Sequence, residues 1–503
     1  MDEKKLPFST QYIPAPPAVK PETGFSSGKR ELGFAILTTI VSVLLVNSIL
    51  LGGLQLGFGV LTIVSICATA VYLLRSGCRL TGYSGALLGL SIVISASFAR
   101  SDDGFVKFVM FCFLLLSTNL GLCLLAGQNR HNPAGILSLL DAFRAALMLG
   151  VGKLGDSFRG LRAAYRQRSV SGKKQGAVLV GLLIAVPILV VLIFLLMRAD
   201  AAFEGLVDLL PHVDLSEIYV SLMIGVPLAC VLYTRGVALK QAGKEAPAQI
   251  AFKSMNPVTV NTVLWAVCGV YAVYLLSQLA YFVGGFAGIL PAEYTMAEYA
   301  RRGFFEMAWL CAINLGLIAL AVALSGEKTG ATTKGLCLFI GVVTLFFVVT
   351  ASAKMLLYID SYGLTRLRVL TEIIMVFLAL TTIFVCVWLF IPKFAYMKAV
   401  LLMALALGAA TAWADVDTVV AAYNVSAYRS GQMAAVDVDY LGSLSDGAIP
   451  YIAQLADDPN PDVAAQARNI LRNHRRHMPE SRDLRSFNIA TMLADQIASP
   501  YEP

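Results

Sequence analysis

Eleven apolar runs, each about twenty residues long, set the limits on what this 503-residue chain can fold into. A bilayer's hydrocarbon core of about 30 Å is crossed by roughly that many helical residues. The runs are Leu32–Leu51, Leu56–Leu74, Gly82–Phe98, Lys107–Ala126, Ala177–Met197, Ser216–Thr234, Val258–Val283, Phe304–Leu324, Gly335–Tyr358, Val369–Ile391 and Lys398–Ala414. Backbone groups find no water to bond inside lipid, and the runs are too long for barrel strands, so each is expected to be a helix. The predicted fold class is therefore all-α: a polytopic transmembrane helical bundle of about eleven spans with a small α-helical C-terminal domain. Composition agrees, since 57% apolar and 14% charged residues would give a water-soluble chain a largely apolar surface. Met1–Arg30 reads as a polar, disordered tail and not as a secretory signal, because the first apolar run is full length and a second follows at once.

Charge between the runs orients them. With the N-terminus inside, the inner segments hold 24 Lys and Arg against 7 in the outer loops, the asymmetry expected of inner loops. An odd number of spans then places 415–503 outside. The expected location is a plasma membrane, with a cytoplasmic N-terminus and an extracytoplasmic C-terminus. The lipid bilayer is the first expected partner.

The inner stretch 127–176 carries a helical stripe, Ile136, Leu140, Phe143, Leu147, Val151, Leu154, Phe158, Leu161 and Tyr165 recurring at steps of three and four. Arg144, Lys153, Arg159, Arg162, Arg166 and Arg168 lie off that stripe. This is the pattern of a helix resting in the inner interface against anionic lipid headgroups. A docking surface for a cytoplasmic partner is the alternative.

Polar side chains crowd the outer ends of four later spans. Tyr274, Gln278 and Tyr281 share a face of the seventh. Glu298, Tyr299, Arg302 and Glu306 lead into the eighth, and Lys354, Tyr358, Tyr362 and Arg366 follow at four-residue steps around the end of the ninth. Asp360, Arg368 and Glu372 complete the candidate ligand or partner site. Charges within a span are costly unless paired or wetted, which makes such a set a functional-site hypothesis. Helix stapling, interfacial tyrosine belts and snorkelling lysine explain the same residues without a ligand. Asn47, Asn119, Asn261 and Asn314 lie nearer mid-membrane, where interhelical hydrogen bonds are expected.

In the tail, Tyr440–Ala456 and Asp462–His474 read as two amphipathic helices joined by Asp457-Asp458-Pro459-Asn460-Pro461. Leu441, Leu444, Ile449, Ile452 and Leu455 are expected to face Val463, Ala467, Ile470 and Leu471, as in one HEAT-type repeat. A single repeat cannot bury its own core, so it needs the membrane domain, the segment around Leu484–Ile497 or a partner. His474 and His477 are separated by Arg475 and Arg476, which disfavours a shared cation, and no metal site is expected. The nine cysteines form no CxxC pair and lie in spans or, for Cys78, an inner loop, where they read as small apolar packing residues.

Three segments resemble a known family: Met197-Arg198-Ala199-Asp200-Ala201-Ala202-Phe203, Tyr299-Ala300-Arg301-Arg302-Gly303-Phe304-Phe305-Glu306 and Tyr362-Gly363-Leu364-Thr365-Arg366-Leu367-Arg368. Asp437-Val438-Asp439-Tyr440-Leu441 and Leu444-Ser445-Asp446 fit as well. The chain resembles, from about residue 100 to 475, the bacterial multi-pass membrane proteins grouped as domain of unknown function four-one-seven-three, near relatives of four-one-five-three. It departs from them at Lys354-Met355-Leu356. The resemblance implies bacterial origin and brings no established activity.

The chain has no GxxxxGK[ST] or HExxH motif, its GxSxG match, Gly24-Phe25-Ser26-Ser27-Gly28, lies in the polar N-terminal tail and not at a strand-to-helix turn, and none of its four histidines lies in a span. No cofactor is expected, and no nucleic acid, because the net charge of +7 is accounted for by inner-loop anchoring. The expected function is a non-enzymatic envelope receptor, scaffold or regulator binding an envelope ligand or protein partner at its outer face. The alternatives are a secondary transporter or lipid-linked flippase, and a membrane-embedded transferase with Glu298 or Glu306 as base.

Overall fold

The computed structural model describes residues 29–155, 215–241, 255–286, 304–325, 329–479 and 483–501, with isolated helical positions between 181 and 199. Every regular element among the described residues is helical. The membrane portion comprises α1 (Lys29–Gly52), α2 (Leu56–Arg75), α3 (Gly82–Ser97), α4 (Gly104–Leu125), α5 (Ser138–Leu147), α6 (Leu215–Gln241), α7 (Pro257–Phe286), α8 (Phe304–Ser325), α9 (Ala331–Tyr362), α10 (Arg366–Phe390) and α11 (Tyr396–Ala414). Nine of these are long and apolar enough to cross a membrane, while α3 is a shorter apolar helix of 16 residues. Of the fifth expected span only isolated helical positions are described, and nearly all of Met1–Arg30 lies outside the described residues. The multi-pass class follows from these helices.

Two apolar cores divide the membrane helices. The first joins α1 to α6 and α11 through residues such as Phe34, Leu73, Leu87, Leu120, Val237 and Leu405. The second joins α7 to α10 through Leu264, Cys311, Ile340, Phe347 and Met375. All four mid-membrane asparagines bridge helices. Asn47 donates to Ser221 Oγ (3.1 Å), Asn119 accepts from Arg235 (2.9 Å), Asn261 accepts from Thr333 (2.8 Å), and Asn314 links Tyr271 (2.5 Å) to Thr344 (2.9 Å). Each pairing satisfies amide groups that lipid leaves unsolvated. The nine cysteines are free, and four of them, Cys123, Cys268, Cys311 and Cys337, are fully buried.

Helix ends sort into two faces. On one, Lys240 at the end of α6 meets Glu31 at the start of α1 (2.6 Å), and Arg30 donates to the Arg75 carbonyl at the end of α2 (3.0 Å). On the other, Gln55 before α2 donates to Asp102 before α4 (2.7 Å), and the ends of α9 and α11 reach the tail. The chain leaves α4 on the first face and starts α6 on the second.

The tail adds α12 (Val416–Arg429), α13 (Val438–Gly442), α14 (Ile449–Ile452), α15 (Pro461–His477) and α16 (Ile489–Ala498). The expected helical hairpin is present in its contacts, for Leu441, Ile449, Ile452, Leu455, Val463, Ala467 and Leu471 form one core. Its first arm is broken, because Pro450 permits only a fresh start at α14. The incomplete repeat is closed by Ala421 and Val425 of α12 and Ala494 of α16.

Candidate functional site

The strongest concentration of buried charge lies where the tail meets the membrane helices. Asp103 caps α4, its Oδ1 accepting from Phe105 N (2.8 Å) and Val106 N (3.1 Å). Asp417 occupies the first turn of α12, where the helix dipole favours a carboxylate. Arg366 opens α10, behind the capping hydroxyl of Thr365. Its guanidinium reaches Asp417 through Nε (2.7 Å) and Nη2 (2.5 Å) and Asp103 through Nε (3.0 Å). Both carboxylates are buried, and the arginine side chain remains 33% exposed. This two-point grip of guanidinium on Asp417 is the stronger form of an ion pair.

Tail groups complete the junction. Tyr440 Oη accepts from Arg366 N (2.8 Å), and Ser445 N donates to Asp417 Oδ2 (2.8 Å). Asn424 clasps Leu364 from both sides, accepting from its N–H (2.7 Å) and donating to its carbonyl (2.8 Å). Between the two spans Gly363 takes φ +75°, and a Cβ there would lie 2.8 Å from Asn424 Oδ1, so a side chain is excluded on both counts. Arg368 closes the end of α9 by donating to the carbonyls of Tyr362 (3.2 Å) and Gly363, and its guanidinium lies 4.1 Å from the Tyr358 ring centre.

A third buried carboxylate, Asp415, turns the chain from α11 into α12 with φ +56°, a left-handed conformation that Asp tolerates better than most residues. It accepts from Ser101 Oγ (2.9 Å) and Thr418 Oγ1 (2.7 Å). Burial raises its pKa above the ordinary carboxylate value, only partly offset by those two hydroxyls. Burial pushes Asp417 in the same direction, but the bonds from Arg366 and Ser445 outweigh it and hold that carboxyl below its ordinary value. Neighbouring acids are thus set apart by their donors.

The predicted polar set does not meet at one point. Tyr358, Asp360, Tyr362, Arg366 and Arg368 lie around the α9–α10 turn, with Asp360 accepting from Gln432 of the tail (3.2 Å). Tyr274 stands edge-on to Phe347 in the second core (5.3 Å). Gln278 is half-buried on α7, Lys354 half-buried on α9, and Glu372 lies against Ser352. Glu306 is exposed in the first turn of α8. Glu298, Tyr299 and Arg302, and the side chain of Tyr281, lie outside the described residues. Asp103, Asp415, Asp417, Asn424 and Tyr440 are junction members not singled out from the sequence as site residues. Two acids immediately after a span and two before another were the available signal.

On the opposite face, α5 presents Leu140, Phe143 and Leu147 outward, with Ile136 exposed just before it, and buries Ser138, Asp141, Ala142 and Ala145. Arg144 turns inward to the Gln128 carbonyl, and Lys153 is half-buried. Phe158, Arg159, Leu161, Arg162, Tyr165, Arg166 and Arg168 lie outside the described residues. In the tail, His474 is flanked by Asp495 (3.0 Å) and Asp446 (3.6 Å), acids that only the fold brings to it. Among the described residues no group of three or more His, Cys, Asp or Glu is arranged to hold a metal ion.

Fold and junction together define a multi-pass α-helical membrane protein with a helical domain fastened across one end of its spans. Residues 83–455 match the family model described as Domain of unknown function (DUF4153), and the chain belongs to that family. The sequence motifs point first to four-one-seven-three; the model that matches is four-one-five-three. Two of those motifs, Tyr362–Arg368 and the tail stretch containing Tyr440 and Ser445, converge at Arg366. Neither a curated protein nor a solved structure matches the chain.

Proposed function

We propose that this integral membrane protein is a non-enzymatic receptor or scaffold of the bacterial cell envelope, with its tail outside. The observation that carries this reading is the Arg366 junction, which ties α4, α10 and α12 through one guanidinium. A rigid joint of this kind lets a contact on the tail bias the packing of the spans beneath it. Asp415 and Asp417 are taken up by structural donors, Ser101 and Thr418 on the first and Arg366 and Ser445 on the second, which favours binding over turnover. The test is site-specific photo-crosslinking in native membranes from exposed tail positions Asp457 and Arg468. A discrete partner or envelope polymer, lost in Asp417→Asn while membrane insertion persists, supports the reading. Absence of any adduct with an intact tail overturns it.

One observation favours the transporter alternative. Arg235, 8% exposed within α6, rests on the Asn119 amide oxygen with no carboxylate within ion-pair distance among the described residues. Intramembrane cations often mark an ion or substrate path. Substrate flux in proteoliposomes that Arg235→Gln abolishes would replace the first reading with this one.

A further inference from the structure

The segment from Leu484 to Ala498 reverses the usual order of a surface helix. Helix α16 buries Ala490, Thr491, Ala494 and Ala498 and exposes Ile489 (38%), Met492 (38%) and Leu493 (42%). These three share one face at spacings of three and four. Leu484, just before it, is 78% exposed. In water such a helix turns its large apolar side chains inward.

The position of the segment supplies the reason. The Arg485 backbone runs against the ends of α1 and α2 so closely that a Cβ on Gly52 would lie 2.6 Å from the Arg485 carbonyl oxygen, and one on Gly57 3.1 Å from its Cα. Arg485 Nη1 donates to Asn47 Oδ1 (2.6 Å), five residues inside the end of α1 and so about 7 Å down its axis. Two backbone bonds fix the level further: Leu56 N to the Phe487 carbonyl (3.2 Å) and Ile489 N to the Ala99 carbonyl (2.9 Å). Asn488 fills the corner, donating to Gln55 (2.7 Å) and the Ser101 carbonyl (2.8 Å). At this height α1 itself exposes Ile49, Leu50 and Leu51.

We infer that α16 is an interfacial helix, and that Ile489, Met492, Leu493 and Leu484 are seated in lipid at the headgroup–acyl boundary of the leaflet on the tail face. The occupant is lipid because the apolar face starts from a segment bonded at the tips of α2 and α3 and, through Arg485, to Asn47 below the tip of α1, level with the exposed apolar end of α1. The tail is then a domain lying on the bilayer, not one held away from it, and this holds whether or not it binds a partner.

The test places a tryptophan at Leu493 (Leu493→Trp) in the full chain in nanodiscs whose lipids carry bromine at shallow or deep acyl positions. The four native tryptophans are subtracted with the parent protein, and Asp457→Trp, at a side chain 95% exposed, serves as the aqueous control. The expected result is a blue-shifted increment quenched at least twofold by shallow bromine, with the control unquenched. An increment that is red-shifted and unquenched overturns the inference by showing a face in water. One that is blue-shifted yet unquenched also overturns it, by showing a protein partner or second copy on the face. If Leu493→Trp opens the tail to protease, Met492→Trp on the same face gives the deciding reading.

Discussion

On the tail face the Arg366 guanidinium stands between two buried carboxylates, hydrogen-bonded to Asp417 and within ion-pair distance of Asp103, while a third, Asp415, is held by Ser101 and Thr418. On the opposite face Arg235 is buried against a neutral amide, while Glu31 and Lys240 pair one to one. The faces differ in what a lost charge leaves behind. At the first, removing the cation strands two anions in a poorly solvated joint between domains. At the second, removing Arg235 strands only an amide oxygen. The tail junction is therefore held chiefly through one cation, and the opposite face by packing together with separate local pairs, Glu31 with Lys240 and Asp141 with His131, with α5 lying over the ends of α4 and α6.

The hardest test of this difference is Arg366→Gln. Breaking one partner out of a buried ion cluster costs about 3 kcal/mol or more, and the exposure of Arg366 puts this case at the lower end. The expected outcome is a tail that opens while the spans stay folded, seen as protease cleavage near the Ala414–Asp415 turn across a urea series. Arg366→Lys keeps the charge and loses the two-point grip, so it recovers only part of that loss. If Arg366→Gln leaves the turn protected, electrostatics does not hold the tail.

Asp417→Asn comes next, at about 2 kcal/mol, the range for hydrogen bonds to charged groups. It also fixes a pH sign. Asp417 has a folded pKa below its unfolded value near 3.9, so its contribution is present above that value and lost as pH falls through the lower folded one. Tail protection in the parent is expected to decline on acidification below the ordinary carboxylate range, and the Asn variant to lack that part of the decline. An unchanged acid profile in Asp417→Asn would assign the loss to other carboxyls.

The membrane helices were legible because lipid enforces a length and a hydropathy that short-range sequence displays directly. So were the amide bridges of Asn47, Asn119, Asn261 and Asn314, since a polar group in a span must find a partner. The tail core was legible from spacing alone at Leu441, Ile452, Val463 and Leu471. What sequence could not display was pairing across 51 positions from Arg366 to Asp417, or how Asp103, from the loop before α4, meets Arg366. Arg366 stood out as a charge beside a span, but its partners lay beyond any helical period. The inward turn of Arg144 was hidden for the same reason: a helical wheel separates faces and does not say which one meets protein.

Arg235→Met probes the opposite face and is expected to change stability by no more than about 1 kcal/mol in either direction. The lost bond to Asn119 is offset by relief of a desolvated charge, as when buried ionic groups are exchanged for apolar ones of similar size. A penalty matching that of Arg366→Gln would erase the distinction between the faces. It would also show that a counter-anion, and not packing alone, sits beside that arginine.

Asp415→Asn has the smallest expected effect and separates charge from geometry within the junction itself. Asp415 has a raised folded pKa, so its carboxyl stabilises the fold when protonated, below the unfolded value, and that contribution is lost as pH rises through the folded one. At neutral pH its charge is a small liability. Asparagine keeps the left-handed turn and an oxygen for Ser101 or Thr418 while removing that charge. Tail protection at pH 7 should therefore be equal to the parent's or slightly above it, and Asp415→Ala, which loses both bonds and strains the backbone, should fall below. Equal losses from Asn and Ala would mean that the negative charge itself holds the turn, drawing on the positive field of Arg100, and that all three carboxylates act together at this face.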